Sequence, residues 1–426
     1  MQKKRITEAV FLMLLAALAV LSAQPAQDPQ LLSRARAIHE RVITIDTHVD
    51  IAGPQYATPA MDPGSPNSGL KCDLVKMKAG GLDAVFLAVF VGQTPALDPA
   101  GYKAAYDAAV AKFDAIHRLA EQMYPDRCAL ALSPDDVERI AKTGKRVILI
   151  GIENGYPLGE DLSLVRKFYD RGARYITLTH SGHNQLGDSA SNEKEPMHNG
   201  LSPFGKKVVA EMNRIGMMVD VSHISTRSFW DVIAASKAPI IASHSGCKAL
   251  AASERNLDDE QLGALSKNGG VIQVVALSDF LKAASPERSQ AIQTLREELG
   301  LRRLSRQEMQ KLTDDQRAEL EKKRAPYQER MKAIDAQFPG ATLKDFVDHI
   351  DHAVKVAGID HVGIGTDFDG GGGIPGFNDH SEAPNVTVEL VRRGYSEDAI
   401  RKIWGGNLLR AWREVQKVAA REQKTH

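Results

Sequence analysis

The sequence predicts an α/β fold, a (β/α)8 TIM barrel with a helical insertion between its seventh and eighth strands. Three observations predict it: eight short apolar runs rich in β-branched residues, amphipathic stretches between them, and acidic or imidazole side chains at the ends of six of the runs.

The runs fall at residues 42–49, 83–91, 146–153, 174–180, 217–223, 239–244, 270–277 and 361–367. Each is short and nearly continuously apolar, as a strand covered on both faces requires. Between them, segments such as 162–171, 203–215, 226–236 and 258–267 carry apolar residues at helical spacing. Gly172, Gly216 and Gly269 stand where helix-ending glycines belong. Periodicity alone leaves a doubly wound sheet as the alternative; the count of eight units favours the barrel. Residues 281–340 break the rhythm, because Glu, Lys, Arg and Gln crowd into a helical, aromatic-poor stretch that reads as a solvated hairpin inserted before the last strand. On this reading residues 27–426 form a single barrel domain.

The chain has 54 Lys plus Arg and 54 Asp plus Glu. That balance provides no field to draw the protein to nucleic acid or to an anionic membrane surface, and points to a small, roughly neutral substrate or to none. The first 26 residues differ from the rest: Lys3, Lys4 and Arg5 precede an apolar stretch over 10–21, followed by the small residues Ser22, Ala23 and Ala26. This is the order of parts in a signal peptide, and the run is short for a membrane span, with an uncleaved anchor as the alternative reading. It predicts export to the periplasm or the medium, with no stable membrane anchor in the mature chain. Three scattered cysteines, Cys72, Cys128 and Cys247, allow at most one disulfide and no thiolate metal cage. Any metal is therefore held by nitrogen and oxygen.

The chemistry-bearing side chains collect at the C-terminal ends of the predicted strands, where barrel active sites are built. His48 and Asp50 end the first strand, Glu153 the third, His180 the fourth, His223 the fifth, His244 the sixth and Asp367 the eighth. His48 and Asp50 are two residues apart, so strand alternation turns both to one side, where they can share an ion. A lone His in an apolar strand is usually a hydrogen-bonded core residue. Five candidate ligands, His48, Asp50, Glu153, His223 and His244, at the ends of four strands are a different matter, because buried ionisable groups without partners are strongly unfavourable. Three imidazoles and two carboxylates suffice for two zinc ions if Glu153, on the intervening strand, bridges them. Two such ions, about 3.5–4 Å apart, hold a hydroxide and polarise a carbonyl, which is hydrolytic chemistry. His39, His117, His198, His349, His352, His361 and His380 read as surface or supporting groups, His183 as a group near the mouth, and Asp369 as a turn cap.

The motifs Ile45-Asp46-Thr47-His48-Val49-Asp50, Gly151-Ile152-Glu153-Asn154, Leu178-Thr179-His180-Ser181, Val219-Asp220-Val221-Ser222-His223, Ser243-His244-Ser245, Glu254-Arg255-Asn256 and Gly365-Thr366-Asp367-Phe368-Asp369-Gly370 occur in this order. Together they resemble the renal (membrane) dipeptidase family of metallopeptidases over residues 40–412. The resemblance implies that His48, Asp50 and Glu153 hold one zinc and that Glu153, His223 and His244 hold the other. It further implies that His180 contacts the developing oxyanion and that Arg255 binds the free carboxylate of a dipeptide. Asp367 then acts as general acid/base, and the family suggests a homodimer. Val49, Val275-Ala276-Leu277 and the charged insertion depart from many relatives, which leaves the side-chain preference of the pocket open. A related amide or β-lactam hydrolase, and a non-catalytic metal- or peptide-binding protein, are the competing readings. Arg255 separates the first competitor, and the presence of a general base argues against the second.

Overall fold

A computed structural model describes residues 28–66, 68–302 and 313–424; the predicted export signal, residues 1–26, lies outside them. Among the described residues no helix is long and apolar enough to cross a membrane.

The sheet contains β1 (Ile45–Asp50), β2 (Ala84–Phe90), β3 (Cys128–Leu130), β4 (Arg146–Glu153), β5 (Ala173–Thr177), β6 (Met218–Asp220), β7 (Ile241–Ser245), β8 (Val271–Val274) and β9 (Val362–Ile364). All pairings are parallel, in the order β1-β2-β4-β5-β6-β7-β8-β9, with β3 attached to β4 off this path. The ring closes where Val49 bridges Phe368, with Asp50 N donating to Phe368 O at 2.9 Å and Asp367 N to His48 O at 2.9 Å. The predicted barrel is therefore present, with one strand more than the sequence reading gave. β3 is three residues long, too short to leave a periodic signal.

Two apolar layers hold the barrel. Inside, Ile45, Phe86, Leu149, Tyr175, Met218 and Ile241 pack together, and Leu408 and Trp412 of the helix Asn407–Glu422 join the same cluster. Phe86 touches both Tyr175 and Trp412, at ring-centroid separations of 5.2 and 6.2 Å. Outside, the alternate residues Val85, Leu87 and Val89 of β2 pack with Phe113 and Ile116 of the helix Pro99–His117. Buried hydrocarbon of this extent is the main stabilising contribution, about 25 cal/mol per Å² of apolar surface removed from water.

Helices begin at side-chain caps, such as Ser202 accepting from Gly205 N and the capping box of Asp258 with Gln261. Gly172, Gly216 and Gly269 follow helices in positive-φ conformations, as their positions in the sequence required. The predicted insertion is helical: Ser278–Leu281, Pro286–Glu298 and Asp314–Gln337 lie between β8 and the helix Leu343–Ala357 that precedes β9. Its two ends meet, since Ala341 N donates to Ser278 Oγ at 3.0 Å, and Arg288 pairs with Asp335 at 2.8 Å.

Candidate metal centre

The strands deliver the predicted residues to one place by departing from regular geometry as they end. β1 shifts register between Asp46 and Val49, around His48, so simple alternation does not run through this residue. β7 shifts between Ala242 and Ser245, around His244. β5, β6 and β9 end three residues before His180, His223 and Asp367, which the sequence reading had placed within strands. His223 and Asp367 have φ of +69° and +60°, and Asn154, following Glu153, has +77°. These left-handed conformations cannot continue an extended strand, and each costs on the order of 1–3 kcal/mol that the surrounding packing must offset. Gly370 completes the site by having no side chain, because any Cβ there would collide with the carboxylates of Asp50 and Asp367.

Glu153 is the hub. Its Oε1 lies 2.9 Å from His223 Nε2, 3.5 Å from His244 Nε2 and 3.6 Å from His180 Nε2, and its Oε2 lies 3.5 Å from His48 Nε2. Three groups of ligand atoms fall within 4.8 Å: His48, Glu153 and His244; Glu153, His180 and His223; and His48, Asp50 and Asp367. All five predicted ligands therefore converge, and so do His180 and Asp367. The His180 side chain is 21% exposed, against 0–9% for His48, His223 and His244, so it is the imidazole that faces the opening.

Burial and mutual repulsion set the charges. Burial pushes Asp50 up to about 7, with Glu153 adding to the effect, and holds Asp367 well above the usual carboxylate range. For Glu153 burial works against the charge, yet His48, His180, His223 and His244 outweigh it and hold the carboxyl well below its ordinary value. Burial depresses His223, aided by Arg255 and His180, and depresses His244, aided by His48. Both imidazoles are thus neutral and have lone pairs to offer. Burial also opposes charge on His48, but Glu153, Asp50 and Asp367 raise it to about 9. A proton and a metal ion compete for that ring nitrogen.

These residues fit metal ions. His48 Nε2 and Asp50 Oδ1 are buried without hydrogen-bond partners, an unfavourable state for polar atoms unless something else engages them. The Nε2 atoms of His223 and His244 face each other at 2.9 Å. Ligand nitrogens around a tetrahedral ion, each about 2.0–2.1 Å from it, stand at about 3.3 Å from one another. Nitrogen and carboxylate oxygen, with no thiolate, form a donor set suited to zinc.

Arg255 lies beside the cluster. Its Nη2 donates to His244 O at 3.3 Å, its guanidinium sits 5.3 Å from the Phe280 ring centroid, and its buried Nε has no hydrogen-bond partner. Burial lowers its pKa to about 10, which leaves it a cation at neutral pH.

The sequence alone does not point to the residues that orient these candidate ligands. Tyr175 Oη lies 2.9 Å from His48 Nδ1, and Ser243 Oγ lies 2.8 Å from His244 Nδ1 and donates to Asp220 Oδ2 at 2.6 Å. Asp46 and Asp220, both buried, accept backbone and side-chain bonds across neighbouring strands. The available signal was a charged residue inside an apolar run two or three positions before a ligand histidine. The Asp369 carboxylate accepts from Lys71 N and Cys72 N, 2.8 and 3.1 Å away, and so anchors the loop after β1 rather than capping its own turn. His183 accepts from Ser189 N at 2.9 Å within its own loop. His39, His349 and His380 prove to be buried rather than surface groups. Cys72, Cys128 and Cys247 are all buried free thiols, so the disulfide left open by the sequence is not formed.

A parallel barrel that converges carboxylates and imidazoles at the C-terminal ends of its strands is the framework of a metal-dependent hydrolase. More particularly, the chain belongs to the membrane dipeptidase family (peptidase family M19), whose model matches residues 32–426. It is a metallopeptidase that acts on dipeptides. It is 34% identical over 356 residues to dipeptidase tcpJ of Claviceps purpurea (strain 20.1), covering 82% of this chain and 71% of that protein. It is likewise 34% identical over 319 residues to dipeptidase verJ of Clonostachys rogersoniana, covering 75% and 68%. Among solved structures, the probable dipeptidase PvdM from Pseudomonas aeruginosa matches with a TM-score of 0.78 at 35% identity, over 92% of this chain and 100% of that one.

Proposed function

We propose that the protein is a zinc-dependent dipeptidase in which His48, Asp50 and the bridging Glu153 hold one zinc, while Glu153, His223 and His244 hold a second. The observation that carries this reading is the convergence of His48, His180, His223 and His244 on the two oxygens of Glu153, at 2.9–3.6 Å. When bound there, the ions polarise a scissile carbonyl and make water a competent nucleophile at neutral pH. The remaining steps belong to the chain. Arg255, held beside His244, receives the free carboxylate of the dipeptide, a task suited to a guanidinium fork. This fixes the peptide bond over the cluster. His180, the most open of the imidazoles, donates to the carbonyl oxygen as it gains negative charge. Asp367 takes the proton from the attacking water and returns it to the amine nitrogen as the C–N bond breaks, releasing two amino acids.

The test is a pair of substrates. Arg255→Ala should lower kcat/KM for a dipeptide about 10- to 100-fold, the worth of a charge-assisted hydrogen bond, and leave the slow turnover of the matching dipeptide amide unchanged. Equal losses on both substrates would refute the role of Arg255 and favour an amide or lactam hydrolase. Glu153→Gln should lose bound zinc together with activity; a fully zinc-loaded Glu153→Gln protein would refute the bridge. Export and dimerisation are part of the same proposal. N-terminal sequencing of the mature protein should begin near residue 27, and sedimentation should give twice the chain mass.

A further inference from the structure

Tyr175 belongs to β5, yet its hydroxyl reaches across the barrel interior to β1. Its ring lies over Gly151 of the neighbouring β4, where any Cβ would collide with it, and it packs on Phe86 at 5.2 Å between centroids. Its oxygen lies 2.9 Å from His48 Nδ1 and 3.1 Å from the carbonyl oxygen of Thr47. We infer that Tyr175 is a positioning residue that fixes the proton of His48 on Nδ1 and thereby turns the lone pair of Nε2 towards Glu153.

Proton counting carries the inference. A carbonyl oxygen can only accept, and a phenol has one proton. If Tyr175 gives that proton to Thr47 O, only lone pairs remain for His48, so Nδ1 must be the N–H. The opposite assignment, with the phenol donating to Nδ1, deprives the buried Thr47 carbonyl of this partner. It also places the N–H on Nε2, the nitrogen that must offer a lone pair to hold an ion and that has no hydrogen-bond partner, Glu153 Oε2 being 3.5 Å away. As a lone pair aimed at a cation, Nε2 needs no such partner. His244 shows the same wiring independently: Ser243 Oγ donates to Asp220 Oδ2, accepts from Nδ1, and leaves Nε2 for the cluster. His223 differs, because its buried Nδ1 has no partner. The ring of a metal-bound histidine is commonly fixed by a bond to its second nitrogen, and losing that bond typically costs 10- to 100-fold in affinity.

The inference rests on His48 being a metal ligand, and the experiment separates the two claims. Zinc binding by the full chain is measured by competition with a chelating indicator, for wild type, Tyr175→Phe and Glu153→Gln. Tyr175→Phe should weaken one of two zinc sites about 10- to 100-fold. Long-range ¹⁵N–¹H spectra of zinc-loaded, ¹⁵N-histidine-labelled wild type, with His48 assigned by its loss in His48→Gln, should show the proton on Nδ1. In Tyr175→Phe this signal should lose its hydrogen-bonded shift, while the His244 signal stays in place, a pattern that general loosening of the barrel would not give. If Glu153→Gln lowers zinc affinity but Tyr175→Phe leaves both sites within twofold of wild type, the positioning role is overturned and the metal reading stands. If Glu153→Gln binds zinc as wild type does, the metal reading itself has failed. Should Tyr175→Phe not fold, the wild-type spectrum decides alone: a proton on Nε2 of His48 overturns the inference.

Discussion

The two thinnest seams of the barrel, β6 to β7 and β9 to β1, are sewn in nearly the same way by two buried aspartates. β6 pairs with β7 through Asp220 and Ile241 alone, and the segment just beyond β9 meets β1 through the bridge of Val49 to Phe368. At the first seam Asp220 Oδ1 accepts from Ser222 N and Ser243 N, at 3.0 and 2.8 Å, and Oδ2 from Ser243 Oγ and Thr177 Oγ1, at 2.6 and 2.5 Å. At the second, Asp46 Oδ1 accepts from His48 N and Thr366 N, at 3.0 and 2.9 Å, and Oδ2 from Thr366 Oγ1 and His380 Nε2, at 2.5 and 2.7 Å. In each, one carboxylate binds the amide two residues on, then the amide and hydroxyl of one residue on, or just beyond, the neighbouring strand. Where strands bend apart to aim the candidate ligands inward, the ladder bonds they give up are replaced by a side chain that accepts four donors. The seams differ in the fourth donor. Asp220 takes a hydroxyl from β5, whereas Asp46 takes an imidazole from the loop beyond β9.

That difference predicts unequal effects from equal substitutions. Asp220→Asn exchanges a four-fold acceptor for a single acceptor oxygen and two N–H donors, which face the hydroxyls of Thr177 and of Ser243, the latter already engaged with His244 Nδ1. Since a hydrogen bond to a charged group contributes about 1.5–3 kcal/mol, this variant should lose about 3 kcal/mol or more of stability by urea unfolding at neutral pH. It should also weaken zinc binding, because Ser243 connects the same carboxylate to His244. Asp46→Asn should cost less, about 2 kcal/mol, because an imidazole nitrogen, unlike the hydroxyl-only partners of Asp220, can be donor or acceptor, so His380 Nε2 can accept from the new N–H. If Asp46→Asn were the more damaging, the closure of the barrel would depend on the charge of Asp46 rather than on its hydrogen-bond count.

The same comparison shows what the sequence could reveal. The barrel was legible because its strands are buried on both faces and read as apolar runs. The seven side chains at their ends were legible because ionisable groups are out of place there unless they have a task. Asp46 and Asp220 carry the same signal and stand inside the quoted motifs. Their partners, however, come from residues 366, 380, 243 and 177, and no local pattern links residues so far apart. Tyr175 was hidden for the converse reason, since an aromatic residue in a strand looks like core, which its ring also is. β3 was too short for any period, and the strand ends ran on too far because left-handed conformations at His223 and Asp367 leave no mark in composition.

A smaller effect separates these carboxylate seams from the helical layer, which is anchored by neutral histidines. Trp404 Nε1 donates to Thr387 Oγ1 at 2.8 Å, the threonine hydroxyl can then donate to His39 Nδ1 at 2.7 Å, and His39 Nε2–H donates to Gly80 O at 2.8 Å. His349 is wired alike, with Nδ1 accepting from Cys247 N and Nε2–H donating to Leu281 O, both at 2.9 Å. A second proton on either ring would meet a donor. Burial, against the opposing pull of the Gly80 and Leu281 carbonyls, holds both histidines below their ordinary value of 6.5. The unfolded chain therefore binds protons that the folded chain refuses, so their stabilising contribution is present above about pH 6.5 and is lost as pH falls below it. Glutamine at position 39 can accept from Thr387 and donate to Gly80 without titrating. Urea midpoints of wild type should accordingly drop more steeply from pH 7 to pH 5 than those of His39→Gln, whereas the deficits of Asp220→Asn and Asp46→Asn are already present at pH 7.5. Identical slopes for wild type and His39→Gln would show that His39 is protonated within the fold, with Thr387 turned to accept from it.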